Sequence, residues 1–186
     1  MVKLDRIYTG GGDDGETSLA GGARIAKHSP RMMAIGDVDE TNAAVGLARV
    51  ASGGTDQAID DMLARIQNDL FDLGSELARP KGGGLKIQPV QAARLESEID
   101  TLNANLQALD SFVLPGGNKL AARLHLARTV ARRAERTVTA LAENEPVGTA
   151  LRVYLNRLSD LLFVIARTAN GNGAADVLWQ PGATAE

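Results

Sequence analysis

Apolar residues recur at three- and four-residue intervals along most of this chain, and each run is closed by glycine, proline or a short polar cluster. That is the pattern of amphipathic helices joined by turns. A first helix is expected from Arg31 or Met32 to about Ala51, stopped by Ser52-Gly53-Gly54. Thr55 or Asp56 caps a second that reaches about Ala78, with Ile59, Met62, Leu63, Ile66, Leu70, Leu73 and Leu77 on one face. Beyond the loop Arg79-Pro80-Lys81-Gly82-Gly83-Gly84 and Pro89, a third helix is expected from Val90 to Leu109, turning Ala92, Leu95, Ile99, Leu102 and Leu106 inward. Pro115-Gly116-Gly117 then delivers a fourth helix, which meets no further Pro or Gly until Pro146. It sets Leu120, Leu124, Ala127, Ala131, Ala134, Val138 and Leu141 on one stripe. A fifth starts near Pro146 and runs to Ala169, where Asn170-Gly171-Asn172-Gly173 stops it. Short connections make neighbouring helices antiparallel, so the expected fold is all-α, an up-down five-helix bundle. Residues 1–30 read differently, because glycines from Gly10 to Gly22 interrupt any periodicity. The expected organisation is one domain: an irregular glycine-rich N-terminal arm (1–30), the bundle (31–170) and a short tail (171–186) that packs through Trp179.

Composition narrows the possibilities. A chain of 186 residues makes one domain with a single core. With 44% apolar but only 3% aromatic residues, that core is built from Leu, Ile, Val and Ala, which favours close-packed helices. The absence of cysteine excludes disulfides, thiolate metal sites and cysteine nucleophiles, and agrees with a reducing cytoplasm. Residues 1–6 lack a signal-peptide apolar region, and no apolar run approaches the roughly 18 residues of a membrane span. A net charge of −3 argues against general nucleic-acid binding. The expectation is a soluble, cytoplasmic protein with no nucleic-acid or membrane partner.

Candidate chemistry gathers on the fourth helix. Arg123, Arg128, Arg132, Arg133 and Arg136 stand against one carboxylate, Glu135, in a chain that is acidic as a whole. Arg128/Arg132 and Arg132/Arg136 are like-charged i,i+4 pairs, each costing a few tenths of a kcal/mol, roughly what an opposite-charge pair contributes. Two readings stay open: a bound polyanion offsets the repulsion, for which Arg's planar fork is suited, or the strip is a basic solvated face or a salt-bridge cluster at an interface. The arm allows a phosphate cradle of backbone amides with Thr17 and Ser18, or a plain flexible segment. It lacks the spacing of a Walker loop. Asp37, Asp39 and Glu40 either complement the dipole of an early helical turn or, through Asp39, pair with an arginine of the fourth helix. His125 has no second His or Cys at ligand spacing and reads as a packed residue. Phe112, taken alone, reads as a core residue before a turn.

The stretch L-P-G-G-x-x-x-A-A-x-L-H-x-A-R-T-x-x-R-R-A-E-R from Leu114 to Arg136 resembles the signature helix of the PduO-type ATP:corrinoid adenosyltransferases, as do Ile7–Leu19, Gly36–Ala48 and Tyr154–Arg167, in the family's order. The resemblance implies transfer of the 5′-deoxyadenosyl group of ATP to the cobalt of cob(I)alamin or a related corrinoid, with release of triphosphate. It implies ATP contacts from Thr9, Gly10, Gly11, Gly12, Thr17, Ser18, Lys27, Arg132, Arg133, Glu135, Arg136 and Asn156. Mg²⁺ is expected to be held through phosphate oxygens and not by a protein cage. Further implications are an ion pair of Asp39 with Arg128 at a subunit boundary, a homotrimer whose sites use two chains, and Phe112 against the lower face of the corrin. A reductase and an adenosylcobalamin-dependent enzyme are implied as possible partners. Gly10-Gly11 depart from the family's usual Lys-Thr, removing a cation and a hydroxyl from the phosphate cradle. That departure keeps open an alternative, a non-enzymatic ATP or corrinoid sensor or chaperone on the same bundle. A plain helical interaction protein with an acidic partner is a third reading.

Overall fold

The computed structural model describes residues 7–53 and 56–184. The N-terminal hexapeptide, Gly54 in the first stop signal and Thr55 as an alternative cap lie outside the described residues. The elements are β1 (Glu16–Ser18), β2 (Arg24–Ala26), α1 (Pro30–Ser52), α2 (Gln57–Leu77), α3 (Pro89–Asn103), α4 (Lys119–Leu141) and α5 (Thr149–Ala169). The fold is an all-α bundle of five helices with one small hairpin. No helix among the described residues is long and apolar enough to cross a membrane.

Local chemistry explains most of the helix boundaries. Ser29, Asp56 and Asn118 cap α1, α2 and α4 by accepting hydrogen bonds from the backbone N–H groups of Met32, Ile59 and Ala121. Gly53 closes α1 in the left-handed conformation. Two boundaries differ from the periodicity. α3 ends at Asn103 and not at Leu109, because the chain turns off the helix so that the Gln107 carbonyl accepts from the buried Arg167 guanidinium at 2.8 Å. α5 begins at Thr149, since Gly148 is extended and lies so close to α2 that a Cβ there would sit 2.6 Å from Glu76 Oε1.

Successive helices alternate in direction, as the cross-links show. Arg123 donates to the Leu47 carbonyl at one end of the α1/α4 pair, while Arg31 reaches Glu145 at the other, 2.7 Å away. Arg49–Asp60 and Asn42–Gln67 make the same antiparallel match between α1 and α2. α1 and α4 pack against each other, and Ala34, Ala44 and Ala48 on the one and Ala127, Ala131 and Ala134 on the other are all buried; such small side chains let helix backbones approach closely. Larger residues, among them Leu63, Ile66, Leu70, Leu124, Leu155 and Leu158, fill the centre. α3 packs beside α5 and runs parallel to it, with Glu96 paired to Arg157 at 2.7 Å. Of the three acids of α3, Glu96 and Glu98 are thus paired, the latter with Arg65.

Two polar knots, built on the buried Asp69 and the buried Asn170, lock the helices together, and neither was legible in the periodicity. Asp69 of α2 accepts from Tyr154 Oη at 2.9 Å, from Gln91 at 2.8 Å, and from Arg94. At the top of the bundle, Asn170 Oδ1 accepts from the Asn118 N–H at 3.1 Å, and Asn118 Nδ2 donates to the Ala169 carbonyl. Gly117 has φ of 96°, and a Cβ there would overlap the Asn170 carboxamide, so glycine is required at the entry to α4.

Candidate functional site

The arm is not shapeless. β1 and β2 pair antiparallel with Ser18 opposite Arg24, and Lys27 N–H donates to the Gly15 carbonyl at 2.8 Å. Arg24, which the sequence reading passed over, organises the glycine loop: its guanidinium donates to the Gly11 carbonyl at 2.6 Å and to Ser18 Oγ at 3.2 Å. The cross-strand register is the signal that would have found it. Lys27 Nζ lies over Gly12, where a Cβ would come within 3.0 Å of it. Thr9, Gly10 and Gly11 are exposed and Thr17 is half-buried. The hairpin leans on the bundle through the buried Leu19 and through Ala20, whose N–H donates to the Ala78 carbonyl at 3.2 Å.

On α4 the arginines divide. Arg133 turns toward α1, where it pairs with Glu40 and, at 3.3 Å, with Asp37, whose other oxygen accepts from Thr137 Oγ1 at 2.5 Å. Its pKa is raised, first by the hydrogen bond to Glu40. Arg133, which the family resemblance implies as an ATP contact, thus also helps to hold α1 against α4 in this chain. The structure removes the dipole account of Asp37 and Glu40: α1 starts at Pro30 and has no acid in its first turn, and a helix dipole acts only over that turn.

Arg132 and Arg136 are exposed and make no ion pair or hydrogen bond among the described residues. Between them, Glu135 Oε1 accepts from Asn156 Nδ2 at 2.8 Å, joining α4 to α5. Arg128 is half-buried with its Nε unpartnered; its pKa is lowered by desolvation first and then by the charge of Arg132. The first of the two like-charged pairs given by the spacing, Arg128 with Arg132, is thus felt at Arg128 in the folded chain. Among the described residues, no three His, Asp or Glu side chains gather at metal-binding spacing.

Arg128 stands where two hollows meet. One, of about 560 Å³, is lined by Arg128, Arg132, Asp160, Phe163 and Arg167. The other, of about 600 Å³, is lined by Leu109, Phe112, Arg128, Phe163 and Trp179. Phe112 is 77% exposed, which overturns its reading as a core residue before a turn. Trp179 does not pack alone: the tail forms a bridge from Leu178 to Val113 and brings the indole to 6.0 Å from the Phe112 ring. His125 is buried against Phe163 at 6.1 Å with neither nitrogen hydrogen-bonded, packed as expected. Its pKa is lowered by burial and next by Arg128, while Asp176 acts in the opposite sense.

Two groups of sequence candidates do not meet within one chain. Asp39 is exposed and lines a hollow between α1 and α2 with Asn42 and Phe71, on a different face from Arg128. The glycine loop of the arm makes no hydrogen bond or ion pair with Arg132, Arg136 or Asn156.

A helical bundle that sets unpartnered arginines beside an aromatic-walled hollow belongs to the class of proteins that hold a polyanion next to a broad apolar ligand. A family model described as cobalamin adenosyltransferase matches residues 7–169, and the chain belongs to that family. The corrinoid adenosyltransferase of Mycobacterium tuberculosis is 51% identical over 97% of this chain and 96% of its own length. That of Bacillus subtilis is 41% identical over 94% and 92%. Among solved structures, a variant PduO-type ATP:corrinoid adenosyltransferase from Lactobacillus reuteri, complexed with cobalamin and ATP, matches with a TM-score of 0.89 at 37% identity, covering 95% of this chain and 97% of that one.

Proposed function

We propose that this chain transfers the 5′-deoxyadenosyl group of ATP to the cobalt of cob(I)alamin or a related corrinoid. The observation that carries the reading is the position of Arg128 and Phe163, each in the wall of both hollows, one hollow cationic and the other aromatic. The cobalt(I) lone pair attacks the 5′ carbon as the carbon–oxygen bond to the triphosphate breaks, and both electrons of that bond leave with the triphosphate. No side chain serves as nucleophile or general base, because the reactive atom belongs to the substrate.

The chain's own residues align and neutralise. Arg132 and Arg136, free of internal partners, face the triphosphate and stabilise the charge that grows on it. Lys27, with the amides of Gly10, Gly11 and Gly12 and the hydroxyls of Thr9, Thr17 and Ser18, closes over it from the arm, and Asn156 with Glu135 positions the nucleoside end. Mg²⁺ would be held through phosphate oxygens and water and would offset the triphosphate charge; the second oxygen of Glu135, without a partner among the described residues, would accept from a water of its hydration shell. Phe112 presents its ring to the lower face of the corrin, keeping the lower ligand off cobalt.

The site is completed between chains of a homotrimer in the cytoplasm, where Asp39 of one copy meets Arg128 of the next and the arm of one copy covers α4 of its neighbour. The separation of these groups within one chain supports this, as do the exposed Leu47, Val50 and Leu126 on α1 and α4. A reductase supplying cobalt(I) and an enzyme consuming the adenosylated product are the partners this chemistry requires.

The test is an anaerobic absorption spectrum of chemically reduced cob(I)alamin with the protein, ATP and Mg²⁺. Conversion to the adenosylcobalamin spectrum, dependent on ATP, is expected. An unchanged cob(I)alamin spectrum, while ATP still protects the arm from protease, would replace the transferase with a sensor.

A further inference from the structure

Phe112 lies in the irregular segment between α3 and α4, and its ring is 77% exposed. Among the described residues, the aromatic ring that meets it comes from the C-terminal tail. Trp179 N–H donates to the Phe112 carbonyl at 2.8 Å, Leu114 N–H donates to the Val177 carbonyl at 2.7 Å, and Ser111 Oγ donates to the Trp179 carbonyl at 2.7 Å. With the antiparallel bridge between Val113 and Leu178, these bonds make residues 177–179 a short strand zipped along 111–114. The rings of Phe112 and Trp179 are tilted by 56° at 6.0 Å, within the range of favourable aromatic pairs.

The root of this strand is anchored. The Asp176 carboxylate, almost wholly buried, accepts from Arg167 Nε at 2.8 Å and from Asn170 Nδ2 at 3.1 Å. Arg167 also donates to the Gln107 carbonyl at 2.8 Å, so one buried guanidinium ties both the start of the tail strand and the segment that leads into Phe112. Register between the two is therefore set at the root, and the indole at the tip restricts where the phenyl ring can turn.

We propose that Trp179 is a positioning residue for Phe112. The tail is a strap whose indole holds the phenyl ring in the orientation it presents to the corrinoid, and with it forms one continuous aromatic wall. This rests on the adenosyltransferase reading. Trp179 is the single tryptophan of the chain.

The experiment compares full-length wild type, Trp179→Ala and Trp179→Phe. Steady-state transfer is measured with ATP and corrinoid varied separately, together with the absorption spectrum of cob(II)alamin bound with ATP, in which release of the lower ligand shifts the visible band. Trp179→Ala is expected to lower kcat/KM for the corrinoid roughly three- to tenfold, as loss of one aromatic pair implies. The KM for ATP and the melting temperature stay put, and the band remains that of the lower-ligand-bound form. Trp179→Phe restores most of the shift. A wild-type band in Trp179→Ala overturns the proposal, as does a parallel loss of ATP affinity and melting temperature, which marks a scaffold role. Ser111→Ala, which removes one strap bond and leaves both rings, is expected to shift the band less and in the same direction; it decides the matter should Trp179→Ala not fold. Wild type that binds cob(II)alamin and ATP but yields no adenosylated product sinks the transferase reading instead, and the band comparison is read independently of it.

Discussion

Arg132 and Arg133 are adjacent in the chain, and a rotation of about 100° around α4 separates their surroundings. Arg133 faces α1 and is held by Glu40 and Asp37, while Arg132 faces outward with no partner among the described residues. Arg132→Ala is therefore expected to lower adenosyl transfer by about a hundredfold or more, the scale for losing one preorganised group at a developing charge, with an unchanged circular dichroism spectrum. Lys27→Ala is expected to act in the same assay mainly through the KM for ATP. His125 gives a pH prediction. Burial and the charge of Arg128 outweigh Asp176 and hold its imidazole below the usual range, Phe163 being its apolar neighbour. The unfolded chain, with a His value of about 6.5, therefore binds this proton more readily than the folded chain. Stability is thus expected to fall as pH drops through about 6.5 toward the depressed folded value. Melting curves from about pH 7 to pH 5 check this, and His125→Gln should flatten the decline even though it lowers the plateau.

At the scale of elements, the helices are joined less by their caps than by buried polar cross-links. Tyr154 of α5 is wholly buried, and its hydroxyl donates to Asp69 of α2. Burial first, and then the charge of Asp69, pushes its ionisation well above the ordinary tyrosine range. Tyr154→Phe is expected to cost about 1–3 kcal/mol in urea unfolding, because a carboxylate inside the bundle loses one of its donors. The start of α4 depends in the same way on the end of α5, since the Asn170 carboxamide both accepts from Asn118 and donates to Asp176. Loss of that carboxamide would loosen the strap that carries Trp179 as well as the cap of α4.

At the scale of the molecule, the site proposed here draws on two copies of a homotrimer. Asp39 and Arg128 line different hollows, and the glycine loop makes no hydrogen bond or ion pair, among the described residues, with the arginines it is proposed to join. Asp39→Arg alone is expected to shift sedimentation from trimer toward monomer and to lower turnover. Adding Arg128→Asp should recover the trimer mass but not the activity, because Arg128 also lines both hollows. ATP is expected to slow proteolysis of residues 7–27 only at concentrations where the trimer persists.

The sequence by itself determined the helices and their faces, because a 3.6-residue period, caps and glycine stops are local properties of the chain. The alanine stripe of α4 and the leucine stripe of α2 are buried as their spacing requires. It also determined the family, through motifs that keep their order from Ile7 to Arg167. Only the tertiary structure decided which arginine is free and which is paired, since that depends on what each helix faces across the bundle. The same holds for the early end of α3, drawn off its helix by Arg167, and for the buried company of Asp69, whose partners lie 22 to 85 residues away. It holds for Phe112 too, whose neighbour Trp179 is a long way along the chain and is brought beside it by backbone pairing that no local periodicity encodes.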